Sequence, residues 1–262
     1  MATVRNVAKE RLEAGELAIG VGLRQARAVE IAKAMKTAGF DFLFIDMEHN
    51  AMSIETAAEI SVAAQDAGIA PIVRVAGFEH YLATRALDAG AQGIVVPHVD
   101  TPDAAAQMAR NCKYPPIGRR SITGALPQLD FETVPAAEAM AAINDSTLLI
   151  VMLESAEAID NAERIAAVPG VDGLLVGCND LCIELGIPGR LDDPKLLAAL
   201  ERTVGACRAH GKHPGLGGVY QPPLIERYVE LGFRLILGGS DLSFLMAAAR
   251  ERAAAIRAMH PG

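Results

Sequence analysis

The sequence predicts an α/β fold, specifically a single-domain (β/α)8 TIM barrel, and three observations support this prediction. Short apolar runs alternate eight times with amphipathic stretches, which is the pattern of parallel strands joined by helices. The length of 262 residues suits a barrel, because such barrels use ~250 residues as one domain. The first predicted strand also lacks the Gly-x-Gly-x-x-Gly turn of the rival doubly wound open sheet.

The predicted strands are short apolar runs that end in polar or glycine-rich stretches. Uninterrupted apolar runs are typical of strands that are buried on both faces. The predicted strands cover residues 17–23, 42–47, 70–75, 93–98, 148–154, 173–177, 213–218 and 235–239. All of residues 1–262 are therefore expected to form one barrel domain.

Amphipathic stretches between these runs predict the outer helices. A leading helix is expected at about 4–14 and a C-terminal helix at about 240–258. In the helix that follows the second strand, Ser53 is placed to cap the N-terminus and Gly68 to end the helix. The other predicted helices cover residues 28–37, 79–88, 102–111, 136–143, 156–167, 194–210 and 223–231.

The segment 113–134 interrupts the alternation of strands and helices. It is rich in Pro, Gly, Arg and Thr and has no clear period. A long loop inside a compact domain is usually functional or disordered. We expect this loop to help enclose the active site.

Composition and charge exclude several classes of function. The net charge of −8 argues against a nucleic-acid partner, which requires a basic surface. No apolar run approaches the ~20 residues of a membrane span, and the polar first ten residues do not resemble a signal peptide. Four cysteines in a chain of this length are not a disulfide framework. We therefore expect reduced cysteines and a cytoplasmic protein.

The second predicted strand runs directly into a cluster of ionisable residues. The apolar run 42–45 is followed by Asp46, Glu48 and His49. In a parallel barrel the catalytic residues project from the carboxyl ends of the strands. Other ionisable residues near strand ends are Arg74, His98, Asp100, Glu154 and Asp180.

Glu154 and Asp180 are candidate metal ligands. They follow consecutive strands, and neighbouring strands lie ~5 Å apart. Two carboxylates this close repel each other unless a cation or a shared proton compensates. Mg²⁺ and Mn²⁺ bind one or two protein carboxylates and fill their other positions with water or substrate oxygens. The alternative is that Glu154 only stabilises the start of the following helix.

Arg74 and His49 each have a structural and a catalytic interpretation. Arg74 can form an ion pair with Asp46 or Glu48, or it can bind a carboxylate or an enolate oxygen. His49 can act as a general base or simply be a hydrogen-bonded loop histidine. The glycine pairs 217–218 and 238–239 can bind an anion or allow tight packing, and packing is favoured for 217–218.

No lysine lies within a predicted strand. The lysines stand at positions 9, 33, 36, 113, 195 and 212. Because Schiff-base aldolases need a lysine inside the barrel, imine chemistry is not expected. A carbanion formed here would need a metal as its electron sink.

Several motifs together resemble the HpcH/HpaI family of class II pyruvate aldolases, which includes 4-hydroxy-2-oxoheptanedioate and 2-dehydro-3-deoxy-sugar-acid aldolases. The resemblance extends over nearly the whole chain. Its markers are the residues at 45–49, 71–74, 114–120, 153–154, 171–173, 177–181 and 230–232.

This resemblance implies a metal-dependent cleavage of 4-hydroxy-2-oxo acids to pyruvate or hydroxypyruvate and an aldehyde. Glu154 and Asp180 would bind Mg²⁺, Mn²⁺ or Co²⁺. His49 would transfer protons through a water, and Arg74 would stabilise the enolate. Asp88 matches an aspartate that increases the basicity of this histidine. Because Asp88 is predicted at the end of a helix, on the wrong side of its own barrel, we expect it to act across a subunit contact.

The resemblance also implies substrate contacts and an oligomer. The backbone of Asn179 would touch the pyruvate carboxylate, with Cys178 beside it, and Asp46 would order Arg74 or the aldehyde hydroxyl. Glu48 is given a structural role. The expected assembly is a homo-oligomer, specifically a hexamer. Candidates for binding a distal carboxylate are Arg119 and Arg120.

The sequence departs from the family pattern at two places. Met152 stands where the best-known members have Gln, and Gly217 and Gly218 make that strand end more open. These positions leave the choice of substrate open. The alternatives are a citrate-lyase-β or malyl-CoA-lyase type enzyme, for which the chain is short, and a non-catalytic, metal-stabilised barrel.

Overall fold

Eight parallel strands form a closed barrel in the computed structural model, which describes residues 3–259. Each strand pairs with its neighbours in the sequence, and the first pairs with the last. The strands are β1 (Ala18–Leu23), β2 (Phe42–Asp46), β3 (Ala70–Arg74), β4 (Gly93–Val96), β5 (Leu148–Leu153), β6 (Gly173–Gly177), β7 (His213–Gly217) and β8 (Leu235–Ser240). The predicted closed barrel with alternating strands and helices is confirmed.

Helices surround the barrel and connect its strands. They are α1 (Val7–Glu13), α2 (Ile31–Thr37), α3 (Ile54–Ala67), α4 (His80–Asp88), α5 (Pro102–Cys112), α6 (Ala136–Ser146), α7 (Ala156–Asp160), α8 (Ala162–Ala166), α9 (Cys178–Glu184), α10 (Pro194–His210), α11 (Pro222–Leu231) and α12 (Asp241–Ala258). In the part of the chain that the structure describes, no helix is both long and apolar enough to cross a membrane.

The helices differ from the sequence prediction in two places. The single helix predicted over 156–167 is two short helices, because Asn161 leaves helical geometry and donates its side-chain amide to the carbonyl of Asp100 at 2.8 Å. The helix α9 follows β6 directly and was not predicted. Its first turn carries Asp180, so that this carboxylate is presented by a helix rather than by a loop.

The uninterrupted apolar run of β2 reflects two separate cores. Phe42 and Phe44 pack inside the barrel, whereas Leu43 and Ile45 pack between the strands and the outer helices. Successive side chains of a strand point to opposite faces, and here both faces are buried. Asp46 continues the inward-facing series and therefore emerges inside the mouth of the barrel.

A glycine on the neighbouring strand β1 makes room for an aromatic side chain of β2. A Cβ on Gly20 would lie 2.0 Å from the ring of Phe42. Gly205, in the exposed part of α10, has no atom within 4 Å of a Cβ at its position. The two glycines are thus a matched pair, one required by packing and one not.

We expect Gly20→Ala to lower the free energy of unfolding by about 3 kcal/mol, the upper end for overpacking a core. Gly205→Ala is expected to raise it by about 0.5–1 kcal/mol, because alanine is the better helix former. Urea denaturation followed by circular dichroism measures both. An unchanged midpoint for Gly20→Ala would show that the Phe42 ring is free to move aside.

The segment 113–134 lies at the amino end of the barrel, opposite the strand ends that were expected to hold the site. Lys113 donates to the carbonyl of Thr147 (2.6 Å) and pairs with Asp172 (2.8 Å), residues that precede β5 and β6. Gln128 donates to the carbonyls of Leu87 and Ala91, which precede β4. The expectation that this loop encloses the active site is wrong for a single chain. Helix α5 runs from the carboxyl end of the barrel back to its amino end, so the segment that follows α5 begins at the amino end.

The C-terminal helix α12 is exposed from Ser243 to its end. None of its residues is buried, and its exposed apolar side chains include Leu245 and Ile256, whose exposed fractions are 61% and 57%. Phe244 stacks on Phe40 with ring centroids 5.9 Å apart, which ties the start of the helix to the barrel. Helix α12 therefore presents an apolar surface that its own chain does not cover.

Candidate active site

A cavity of about 320 Å³ opens at the carboxyl ends of the strands. Most of the predicted site residues are in its wall, namely Asp46, His49, Arg74, Met152, Glu154, Cys178, Asn179, Asp180 and Gly217. Asp88, Arg119 and Arg120 are not in this wall. The barrel thus brings together residues that lie more than a hundred positions apart in the sequence.

Asp46 and Arg74 form a buried pair at the base of the cavity. The residues face each other in the register of β2 and β3. Arg74 donates from Nε to Asp46 Oδ1 at 2.9 Å and from Nη2 to Oδ2 at 2.7 Å. This is the two-pronged geometry that makes arginine–carboxylate pairs strong. The guanidinium also lies over the Phe44 ring, 5.3 Å from its centroid.

The electrostatics of Asp46 reflect this pairing. Burial alone would raise the pKa of Asp46, but the hydrogen bonds and charge of Arg74 bring that pKa below its usual value. The backbone N–H groups of Glu48 and His49 also donate to Asp46 Oδ1 and lower the pKa further. Asp46 is therefore ionised at neutral pH, and it shapes the turn that carries His49.

Glu48 is a second carboxylate facing Arg74. Its Oε2 lies 2.9 Å from Arg74 Nη1, within ion-pair distance, and has no hydrogen-bond partner among the described residues. The same Nη1 lies 4.0 Å from the sulfur of Met152. Both ion pairs considered for Arg74 thus occur at once, and the guanidinium is held firmly in place.

Glu154 is a buried carboxylate in an unfavourable electrostatic position. Burial raises its pKa, the backbone N–H and charge of His98 lower it, and the negative charges of Asp180 and Glu48 raise it again. Its Oε2 accepts the His98 backbone N–H at 2.9 Å. A Cβ at Gly177 would lie 2.6 Å from Oε1, so the glycine leaves the space that this oxygen needs.

His98 connects the two glutamates. Its Nε2 lies 3.3 Å from Glu48 Oε1, and its Nδ1 lies 3.3 Å from Glu154 Oε2. Its backbone is left-handed, with φ of 53°, which is uncommon for a residue other than glycine. The sequence placed His98 at a strand end but assigned it no role. Its position after a strand was the only available signal, because the backbone strain leaves no mark in the sequence.

His49 lies at the rim of the cavity with 54% of its side chain exposed, and its Nε2 is 3.7 Å from Glu48 Oε2. Asp88 is far from it in the same chain, because it ends α4 at the amino end of the barrel. There Asp88 pairs with Arg120 at 2.6 Å. The expectation that Arg120 binds a distal carboxylate is wrong for this chain. The Arg120 side chain is completely buried, and its guanidinium forms an ion pair with Asp88. Arg119 is exposed but does not reach the cavity.

The glycine pairs at the ends of β7 and β8 serve packing. Gly218 is left-handed, with φ of 87°, and a Cβ there would lie 3.0 Å from the side-chain amide of Asn179. At Gly239 a Cβ would lie 2.6 Å from the Phe244 ring. The prediction that packing explains 217–218 agrees with the contact at Gly218, whereas a Cβ at Gly217 would make only ordinary contacts, the nearest at 3.5 Å.

The wall opposite Glu154 includes glycines, Leu237 and four polar residues that the sequence reasoning did not select. These are Arg24, Tyr220, Ser240 and Ser243. Arg24, Tyr220 and Ser240 lie at or just after the end of a strand, which is the position that selected Arg74 from the sequence. Ser243 lies in the first turn of α12. No lysine is among the residues described in the cavity wall.

A comparison with known protein families agrees with the geometry. The model of the family described as HpcH/HpaI aldolase/citrate lyase matches residues 24–248. The chain belongs to the HpcH/HpaI family. The predicted family is thereby confirmed, and the HpcH/HpaI protein described here is an enzyme of the lyase class.

Individual relatives support this assignment. A 4-hydroxy-4-methyl-2-oxoglutarate aldolase of Hapsidospora irregularis is 38% identical, over 98% of this chain and 96% of the relative. A hydroxypyruvate/pyruvate aldolase of Chromohalobacter salexigens is 36% identical, over 84% and 86%. The crystal structure of an HpcH/HpaI aldolase from Desulfitobacterium hafniense superposes with a TM-score of 0.92 at 28% identity, covering 98% of this chain and 99% of that one.

Proposed function

We propose that this protein is a divalent-metal-dependent aldolase that reversibly cleaves 4-hydroxy-2-oxo acids to pyruvate or hydroxypyruvate and an aldehyde. The observation that carries the proposal is one cavity that combines a fixed arginine, Arg74, with two carboxylates, Glu154 and Asp180, whose negative charges act on each other. Relatives named as aldolases for 4-hydroxy-2-oxo acids and for hydroxypyruvate or pyruvate support the choice of substrate.

The donor set at Glu154 and Asp180 fits a hard divalent ion such as Mg²⁺, Mn²⁺ or Co²⁺. Glu154 is buried and its carboxylate is destabilised by neighbouring negative charge, which a cation would relieve. Among residues 3–259 no group of three or more His, Cys, Asp or Glu side chains is arranged to hold a metal. Two carboxylates suffice for Mg²⁺, which usually retains several waters. A bound ion acts as a Lewis acid on the keto group of a 2-oxo acid.

Arg74 supplies positive charge where the keto oxygen becomes negative. Its guanidinium is fixed by Asp46, so little reorganisation is needed when that charge develops. Its Nη1 points away from the paired edge toward Glu48 and Met152. We assign this edge to the substrate oxygen. Asp46 then acts by orienting Arg74 and the turn at His49.

His49 is the proposed proton carrier of the reaction. In the cleavage direction it accepts the proton of the C4 hydroxyl through a water, the C3–C4 bond breaks, and its electrons form the enolate. The same proton is then available to C3, which gives the 2-oxo acid product and the free aldehyde. Because His49 lies at the exposed rim of the cavity, its imidazole can exchange protons with a water molecule. Cys178 lies beside this site, but burial raises its pKa and keeps the thiol neutral.

We propose that the enzyme is a homo-oligomer, specifically a hexamer, and that a neighbouring subunit supplies the Asp88 that acts on His49. The exposed apolar surface of α12 supports a subunit contact, because large exposed apolar patches mark interaction sites. Light scattering should give about six times the chain mass of 27.6 kDa. Leu245→Glu should lower the measured mass of the assembly, whereas a monomeric wild type would contradict the proposed hexamer.

We also propose that the enzyme lies in the cytoplasm, since its four cysteines are buried and unpaired.

A coupled assay of pyruvate release tests the proposed function. The enzyme is incubated with a panel of 4-hydroxy-2-oxo acids, with Mn²⁺ or with EDTA. We expect release with metal and none after full chelation. Activity that survives chelation would contradict the metal-dependent mechanism. A CoA thioester in the same panel tests the acyl-lyase alternative, which the family description also covers.

A further inference from the structure

We propose that Arg24, together with Tyr220, binds an anionic group at the far end of the substrate, so that the enzyme prefers 4-hydroxy-2-oxo acids with a second carboxylate. This inference rests on the proposed function and names its substrate class. It replaces the expectation that arginines of the segment 113–134 would bind a distal carboxylate.

Arg24 is the arginine of the cavity wall that is left for the far end of a ligand, because Arg74 is assigned to the keto end. Of the arginines described in that wall, Arg74 is held by Asp46 and lies against Glu48. The side chain of Arg24 is exposed and has no ion-pair or hydrogen-bond partner within residues 3–259. An exposed guanidinium at a cavity rim is well suited to a carboxylate, which it can bind with two parallel hydrogen bonds.

The backbone at Arg24 is held in place by a carboxylate of α12. Asp241 accepts the backbone N–H groups of Arg24, Gln25 and Ala26 at 2.8, 3.0 and 2.7 Å. It also accepts the N–H of Leu242 at 2.7 Å. Because these amides occupy the Asp241 carboxylate, it anchors the loop without neutralising the Arg24 guanidinium. The cation is thus attached to a fixed backbone at the end of β1.

Tyr220 lies within electrostatic reach of both arginines. It belongs to the cavity wall, and half of its side chain is exposed. Burial of its hydroxyl raises the pKa of Tyr220, while the charges of Arg24 and Arg74 lower it. The hydroxyl therefore stays protonated at neutral pH and can donate a hydrogen bond to an anion. It shares the cavity wall with both arginines.

The shape of the cavity directs the far end of the substrate toward Arg24. In the proposed function the 2-oxo acid half binds at Arg74, Glu154 and Asp180. These residues come from β3, β5 and the start of α9. The opposite wall is formed at β1, β7 and β8, where Gly22, Gly217, Gly218 and Gly239 line the cavity together with Arg24. A substrate that extends across the cavity from its keto end therefore brings its last group to the wall that carries Arg24.

A binding experiment isolates this interaction from catalysis. The ligands are 2-oxoglutarate and 2-oxopentanoate, which have the same chain length and differ in a terminal carboxylate versus a methyl group. Calorimetry with the Mn²⁺-loaded enzyme gives the ratio of their dissociation constants. We expect wild type to prefer 2-oxoglutarate and Arg24→Gln to reduce that preference about 10- to 100-fold, the range for one charge-assisted pair. Arg227→Gln, an exposed arginine of α11 outside the cavity wall, should keep the preference.

Catalysis provides the second arm of the test. With 4-hydroxy-2-oxoglutarate, Arg24→Gln should lower kcat/KM, mainly through KM. With the neutral analogue 4-hydroxy-2-oxopentanoate it should leave kcat/KM unchanged. An equal loss on both substrates, or an unchanged binding preference, would overturn the role of Arg24. If wild type cleaves neither acid, the proposed function fails, while the binding ratio still decides whether Arg24 recognises the anion.

Discussion

Glu154→Gln is expected to lower kcat for pyruvate release at least about 10³-fold, which corresponds to ~4 kcal/mol of transition-state stabilisation. The substitution keeps the shape of the side chain and its contact with the His98 N–H, but it removes one of the two negative charges proposed to hold the metal. The measurement is the coupled assay at saturating substrate and Mn²⁺. Near wild-type activity would show that Glu154 only supports the start of α7.

The same variant separates a metal ligand from a structural residue through thermal stability. Since the pKa of Glu154 is raised in the fold, its ionised form costs stability, and this cost grows as the pH rises from about 4.5 through the folded-state pKa. In EDTA at neutral pH, Glu154→Gln should therefore melt at or above the wild-type temperature. Added Mn²⁺ should raise Tm for wild type only. A variant that melts lower in EDTA would favour the non-catalytic barrel.

The residues at the mouth of the barrel were predictable because strand ends are a local property of the sequence. An apolar run followed by Asp46 or Glu154 identifies both the strand and the end that faces solvent. Closure of the barrel then brings consecutive strand ends together without further information. For this reason Asp46, Arg74, Glu154 and Asp180, which were selected from the sequence, all lie in the wall of one cavity.

Features that depend on distant packing were not predictable in this way. Arg120 resembled a flexible loop residue, but it is buried with its guanidinium over the Tyr114 ring and paired with Asp88. The left-handed backbone of His98 and the lack of an ion-pair partner for Arg24 within residues 3–259 both result from the packing of separate loops against one another. The apolar side chains of α12 predict burial without indicating which chain covers them. The periodicity of a sequence indicates which side chains are buried. Which residues they contact depends on how distant segments pack together.

Replacing Arg74 with Met is expected to cost about 3–5 kcal/mol of folding free energy, because removal of one partner leaves buried charge without compensation. Asp46 and Glu48 would then face each other and the cavity without a cation. Urea denaturation at neutral pH measures this loss. Activity should fall below detection at the same time, so the single variant cannot separate the two roles of Arg74.

A triple variant separates them. Asp46→Asn and Glu48→Gln remove both negative charges, so adding them to Arg74→Met should restore most of the stability but none of the activity.

The pH dependence of the free energy of unfolding gives a further check. In wild type the lowered pKa of Asp46 means that the pair stabilises the fold above pH of about 4 and that this contribution is lost as the pH falls through the folded-state pKa. The triple variant should lack this acid-dependent loss. If the triple variant recovered activity along with stability, Arg74 would act only as the counterion of Asp46 and Glu48, and another group would have to stabilise the developing enolate.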